Sequence, residues 1–117
     1  MNLLTKASQA IPTQSKNDSY VVEYNLPLDS MELIVSHING SYPEEGGFDI
    51  DETVDQIWYV ESGKGTVFIQ ETEYTLEQGD MILIPKNEKY WIKGDHLKLI
   101  VASNPKWHAG QHKHLAN

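Results

Sequence analysis

From Tyr20 onward the chain alternates short runs of β-branched and aromatic residues with turn residues, and no ten-residue segment holds a helical period. Strands are predicted over Tyr20 to Asn25, Met31 to Ile38, Gln56 to Glu61, Thr66 to Gln70, Glu73 to Leu76, Met81 to Ile84, Lys89 to Lys93 and Leu97 to Ala102. Ser62-Gly63-Lys64-Gly65 supplies the glycines of a tight hairpin between the third and fourth of these, and Gly94-Asp95 separates the last two. Pro85 ends the strand before it, because proline cannot donate to a ladder. The pattern predicts an all-β sandwich or barrel. Residues 1–19 mix polar residues around Ile11-Pro12 and read as an extended arm. Residues 20–103 form the β domain, and residues 104–117 are a tail of different character with Trp107, His108, His112 and His114.

At 117 residues one domain with one core is expected. Nine lysines, no arginine and seventeen acidic residues give a charge of −8, which argues against nucleic acid as a partner. The missing arginine also removes the side chain best suited to gripping phosphate or carboxylate in a bidentate way. Without cysteine there is no disulfide, thiolate metal site or thiol nucleophile. No apolar run is long enough to span a bilayer, and Met1 to Lys6 lacks the apolar length of a signal peptide, so no membrane partner and a cytoplasmic location are expected. Gly-x-Ser-x-Gly, phosphate-loop and dinucleotide fingerprints are all missing.

Two stretches carry a family resemblance. Asp49-Ile50-Asp51-Glu52-Thr53-Val54-Asp55-Gln56 leads through Ile57-Trp58-Tyr59-Val60-Glu61-Ser62-Gly63, and Gly79-Asp80-Met81-Ile82-Leu83-Ile84-Pro85 leads to Asn87 and Tyr90. Together they resemble the two motifs of the cupin superfamily, which implies a small double-stranded β-helix, or jelly-roll, barrel. In a typical cupin, two histidines and a glutamate of the first motif and a histidine of the second hold one divalent metal. The matching positions here are Asp49, Asp51, Gln56 and Tyr90. A glycine usually follows the motif proline by two residues; Asn87 stands there and tolerates a left-handed backbone, so the turn is expected to survive. The resemblance also implies a homodimer, since small cupins commonly pair sheet edges.

Asp49 and Asp51 are two apart and share a strand face. With Gln56 they would offer oxygen to a divalent cation, and oxygen favours Mg²⁺, Mn²⁺ or Ca²⁺ over iron. The alternative is a solvated acidic loop. The amide of Gln56 and the aromatic body and polar tip of Tyr90 suit an uncharged ligand. Trp58, on the same face as Gln56, is either a stacking platform for a ring or core filling. His37 shares a face with Met31, Leu33 and Val35. If that face lines the lumen, His37 is a ligand contact or, with Tyr90, a catalytic acid or base. His108, His112 and His114 read as a solvated tail, as one packed on a partner subunit, or as a helical zinc pair.

These residues lead to two main readings, beside that of a dimeric structural or sensor module whose pocket tunes association. One is a cupin that binds a small polar organic ligand, a sugar or a carboxylate, through Gln56, Trp58, Tyr90 and His37. The other is an isomerase, epimerase or lyase that works through luminal acid and base groups with or without a hard divalent cation. An iron oxygenase is disfavoured, because both motifs lack its histidines.

Overall fold

The structure is a computed structural model, and it describes residues 3–14, 19–43 and 46–116. Nine strands run in chain order: β1 (Ile11–Gln14), β2 (Tyr20–Glu23), β3 (Glu32–Tyr42), β4 (Phe48–Asp51), β5 (Asp55–Ile69), β6 (Thr72–Leu76), β7 (Met81–Ile84), β8 (Tyr90–Asn104) and β9 (His112–Leu115). Among the described residues helix is confined to two 3₁₀ turns, Ala7–Gln9 and Ala109–Gln111. All-β architecture is therefore as expected. No helix among the described residues is long and apolar enough to cross a membrane.

β8 is the spine of the sheet. β3 pairs along one edge of it and β5 along the other, while β5 also carries β6 on its second half and β7 on its first. The full path runs β1-β2-β3-β8-β4-β9, all antiparallel. The sheet curls so that one face closes over a core of Trp58, Val60, Val67, Ile92, Leu97, Leu99 and Val101. The pleat drives this directly, because alternate residues of β5 and β8 are buried and the ones between them are not.

Two predicted reversals are not turns. Ser62-Gly63-Lys64-Gly65 lies inside one fifteen-residue strand, and Gly94-Asp95 lies inside another. The β5/β8 register shifts between Val60 and Ser62 and again between Ser62 and Lys64, so the glycines mark bulges where two long strands bend together. Gly63 has φ +77°, and a Cβ there would collide with the His96 carbonyl of the neighbouring strand. The chain contains glycine for a close approach of backbones rather than for a hairpin. Asn87, by contrast, does what the sequence suggested, with φ +64° just beyond the end of β7.

In the N-terminal region Ile11 to Gln14 pair with Tyr20 to Glu23 of the same chain, so β1 extends its own sheet.

The two glycine environments make a comparison possible. Gly63 is strained by φ and blocked by backbone, whereas Gly79 has φ +90° and nothing within 4 Å of the place a Cβ would take. Gly63→Ala is expected to cost roughly 2–4 kcal/mol and Gly79→Ala about 1 kcal/mol, measured as the shift in urea unfolding free energy. Equal losses would contradict the bulge assignment.

Candidate functional site

Strand β4 lies between β8 and β9, with Asp49 opposite Tyr90 on one side and His114 on the other, and Asp51 opposite His112. Its inward residues are the two aspartates, exposed by only 3% and 2%. A buried carboxylate is costly unless donors surround it. Asp51 has four. Its Oδ1 accepts from Trp107 Nε1 at 2.9 Å, Gln111 Nε2 at 2.8 Å and His112 Nδ1 at 2.8 Å, while its Oδ2 accepts from the Tyr90 hydroxyl at 3.2 Å. Asp49 accepts from His114 Nδ1 at 3.0 Å and lies 3.4 Å from His112 Nε2. His112 thus has one ring nitrogen on each aspartate.

Protonation follows from this packing. Burial by itself pushes the Asp51 carboxyl up, but the hydrogen bonds from His112 and Gln111, the His112 charge and the bond from Trp107 outweigh it and hold the group below 3.8. Hydrogen bonds to Asp49 and Asp51 raise His112 from 6.5 to about 9 against the opposing effect of burial, so it is an imidazolium at neutral pH. Burial, then the charges of Asp51 and Asp49, push the Tyr90 phenol well above 10, and it stays neutral.

Tyr90 and His112 border a cavity of about 310 Å³ together with Gln56, Trp58, Ser36 and Trp107. Gln56 is buried, donating to Ser103 Oγ at 3.1 Å and accepting from Trp58 Nε1 at 3.0 Å. Trp58 meets Tyr90 edge to face at 5.6 Å. The fold therefore brings Gln56, Trp58 and Tyr90 to one cavity, with Asp51 behind Tyr90.

His37 is placed differently. The inward residues of β3 are Ile34, Ser36 and Ile38, whereas Met31 and Leu33, on the His37 face, are 56% and 60% exposed. His37 stacks on Tyr20 at 4.2 Å and stands opposite Lys98, whose neighbours Leu97 and Leu99 point into the core. It borders the cavity from strand β3, but the pleat turns its imidazole to the outer side, away from Asp51. It lines the cavity as a ligand contact would, and the imidazole that meets Asp51 is that of His112.

The expected oxygen cluster of Asp49, Asp51 and Gln56 does not fit a cation. Both Asp51 oxygens and the Gln56 oxygen already face N–H or O–H donors, and His112 fills the space between the aspartates. Among the described residues no group of three His, Cys, Asp or Glu side chains is arranged to hold a metal ion.

Trp107, Gln111 and His112 escaped the sequence reading as site residues because they sit in the presumed solvated tail. One signal was present. Asp49 and Asp51 are two apart, and so are His112 and His114, so a strand of acceptors and a strand of donors can match residue by residue.

The family model of the cupin domain matches residues 43–103, just over half of the chain. The chain belongs to the cupin family. Among solved structures it is similar to Streptomyces Pac13, described as a unique nucleoside dehydratase and also solved with uridine, at 13% identity and TM-score 0.87 over 99% of this chain and 92% of that one. It is similar to KdgF from a Halomonas species at 14% identity and TM-score 0.71, covering 88% and 94% of the two chains. Staphylococcus aureus CapF, a capsular polysaccharide assembling protein, matches at 15% identity and TM-score 0.75, covering 92% of this chain and 32% of that one. Such identities establish the shared fold alone. No curated protein matches the sequence.

His112 links the site to stability. Its folded value lies above its ordinary one, so its contribution is complete below pH 6.5 and is lost as pH rises through about 9. Asp51 has the opposite sign, contributing above 3.8 and losing that contribution as pH falls through its lowered folded value. Urea unfolding at a series of pH values is expected to show stability declining by on the order of 3 kcal/mol between neutral and alkaline pH. His112→Gln should abolish most of that decline.

Proposed function

We propose that this cupin binds a small, hydroxyl-bearing ring compound of sugar or nucleoside size in its lumen, held by the protein's own polar groups rather than by a metal ion. The carrying observation is the cavity wall itself. It sets the apolar faces of Trp58, Ile92, Leu99 and Val101 against the amide of Gln56 and the phenol of Tyr90, the mixture that a ring with hydroxyl groups requires. Gln56 uses one amide proton on Ser103, which leaves the second for a ligand. Tyr90 donates to Asp51 and retains its oxygen lone pairs. The likeness to a dehydratase solved with uridine supports a ligand of this size.

A second reading, a lyase-type enzyme, is favoured by the linkage of Tyr90 and His112 through Asp51. Two groups that keep their protons at neutral pH converge on one cavity, and groups so perturbed cluster at catalytic sites. In that reading Tyr90 orients the substrate, and the contact of Asp51 with His112 fixes the position of its phenol.

Calorimetry with uridine and with neutral monosaccharides is expected to detect binding that EDTA leaves unchanged. Gln56→Leu should weaken it about tenfold, the usual effect of one lost neutral hydrogen bond. Loss of binding on metal removal would sink the metal-free reading, and no binding by either probe class would remove the proposed ligand.

We also propose that the chain pairs as a homodimer through the outer side of its sheet. On the outer side of the sheet Ile57, Tyr59, Met81, Leu83 and Leu33 are 44%, 39%, 65%, 55% and 60% exposed, and β-ladder pairing sets Ile57 beside Leu83 and Tyr59 beside Met81. Apolar surface of this continuity is typical of an interface. Light scattering is expected to return twice the mass of 13.3 kDa, and Leu83→Lys with Met81→Glu to return one chain mass.

A further inference from the structure

We propose that the cavity selects against anions, with Glu23 and Glu32 at its rim as the specificity-determining residues, so that the molecule it takes carries neither phosphate nor carboxylate. This deepens the ligand-binding reading and rests on it.

Among the described residues the lining holds no lysine, and the chain has no arginine. The imidazolium of His112 is already matched by Asp49 and Asp51 and has no charge to spare for an anion. Two further carboxylates line the same cavity. Glu23 ends β2 and Glu32 begins β3, and both are half-exposed where Gln56, Trp58 and Tyr90 are buried, which places them towards solvent. The pleat of β3 puts Glu32 on the side of Ile34, Ser36 and Ile38. Burial, and after it the charge of Glu23, oppose the ionisation of Glu32, while Lys106 and the Trp107 backbone favour it. The chain as a whole carries a charge of −8, which adds to the repulsion of an approaching anion.

Ser36 adds a neutral polar contact. It is 9% exposed and lines the cavity from the inward face of β3. A hydroxyl on the cavity wall can hydrogen-bond a hydroxyl or carbonyl of a bound molecule. An uncharged polar group passes Glu23 and Glu32 without repulsion; a phosphate is repelled by both.

Charge selection can be read without knowing the ligand, by quenching tryptophan fluorescence with acrylamide, iodide and caesium. Trp91 stacks on Phe68 outside the cavity, so Trp91→Phe leaves Trp58 and Trp107, both on the cavity wall, as reporters. In this background iodide is expected to quench at least about fivefold less than acrylamide, with caesium less affected. Adding Glu23→Gln and Glu32→Gln should raise iodide quenching about threefold or more, while Glu71→Gln with Glu73→Gln, an equal charge change on exposed residues outside the cavity, should not. Iodide quenching as strong as that by acrylamide, or an equal response to both pairs of substitutions, overturns the proposal. If acrylamide fails to reach the reporters, the cavity is closed to small solutes, and the ligand-binding reading falls with it.

Discussion

A buried carboxylate that must be satisfied organises the junction of the central strand with the C-terminal segment. Asp51 is almost fully enclosed, and such an anion is tolerable only inside a shell of donors. Those donors come from places far apart in sequence: Tyr90 from the central strand, Trp107 and Gln111 from the connection after it, and His112 from the last strand. Around Asp51 the backbone bonds from Asn87 to its carbonyl and from Glu52 to the Gln111 carbonyl close the same junction. The C-terminal segment is therefore part of the site and is held there by charge.

That arrangement changes what the barrel can do. Where a metal-binding cupin would direct its inward residues at a cation, this chain directs Asp49 and Asp51 at an imidazolium of its own. His112 takes the place of the positive centre, and Tyr90 connects it to the cavity. Fold alone never decides function, and here Asp49, Asp51, Gln56 and Tyr90 stand at the positions of the metal-binding motif. The cost is a charged group buried with few alternatives for its partners, which ties stability and site chemistry to the same protons.

The legibility of the site varied with how local its physics is. Asn87 and Pro85 announced a turn and a strand end that depend on single-residue backbone preferences, and both are present. Gly63 was misread because a glycine that relieves a collision with a neighbouring strand looks, in sequence, like a glycine that permits a turn. The place of His37 turned on one step of the pleat: strand periodicity groups residues by face, but it does not say which face is inside. Asp49 and Asp51 were correctly paired on one face, yet their partners lie sixty or so residues away and no local pattern names them.

By itself, then, the sequence determined the all-β class, the strand ends set by Pro85 and Asn87, the shared face of Asp49 and Asp51 and the family motifs, because each depends on periodicity or on one residue's backbone preference. Only the tertiary structure decided that β5 and β8 run unbroken through their glycines, that the inner face of β3 carries Ser36 rather than His37, and that the tail returns as a strand to neutralise the aspartates. Those outcomes depend on which surfaces meet. A carboxylate written in the sequence has no defined charge environment until the fold chooses the donors that surround it.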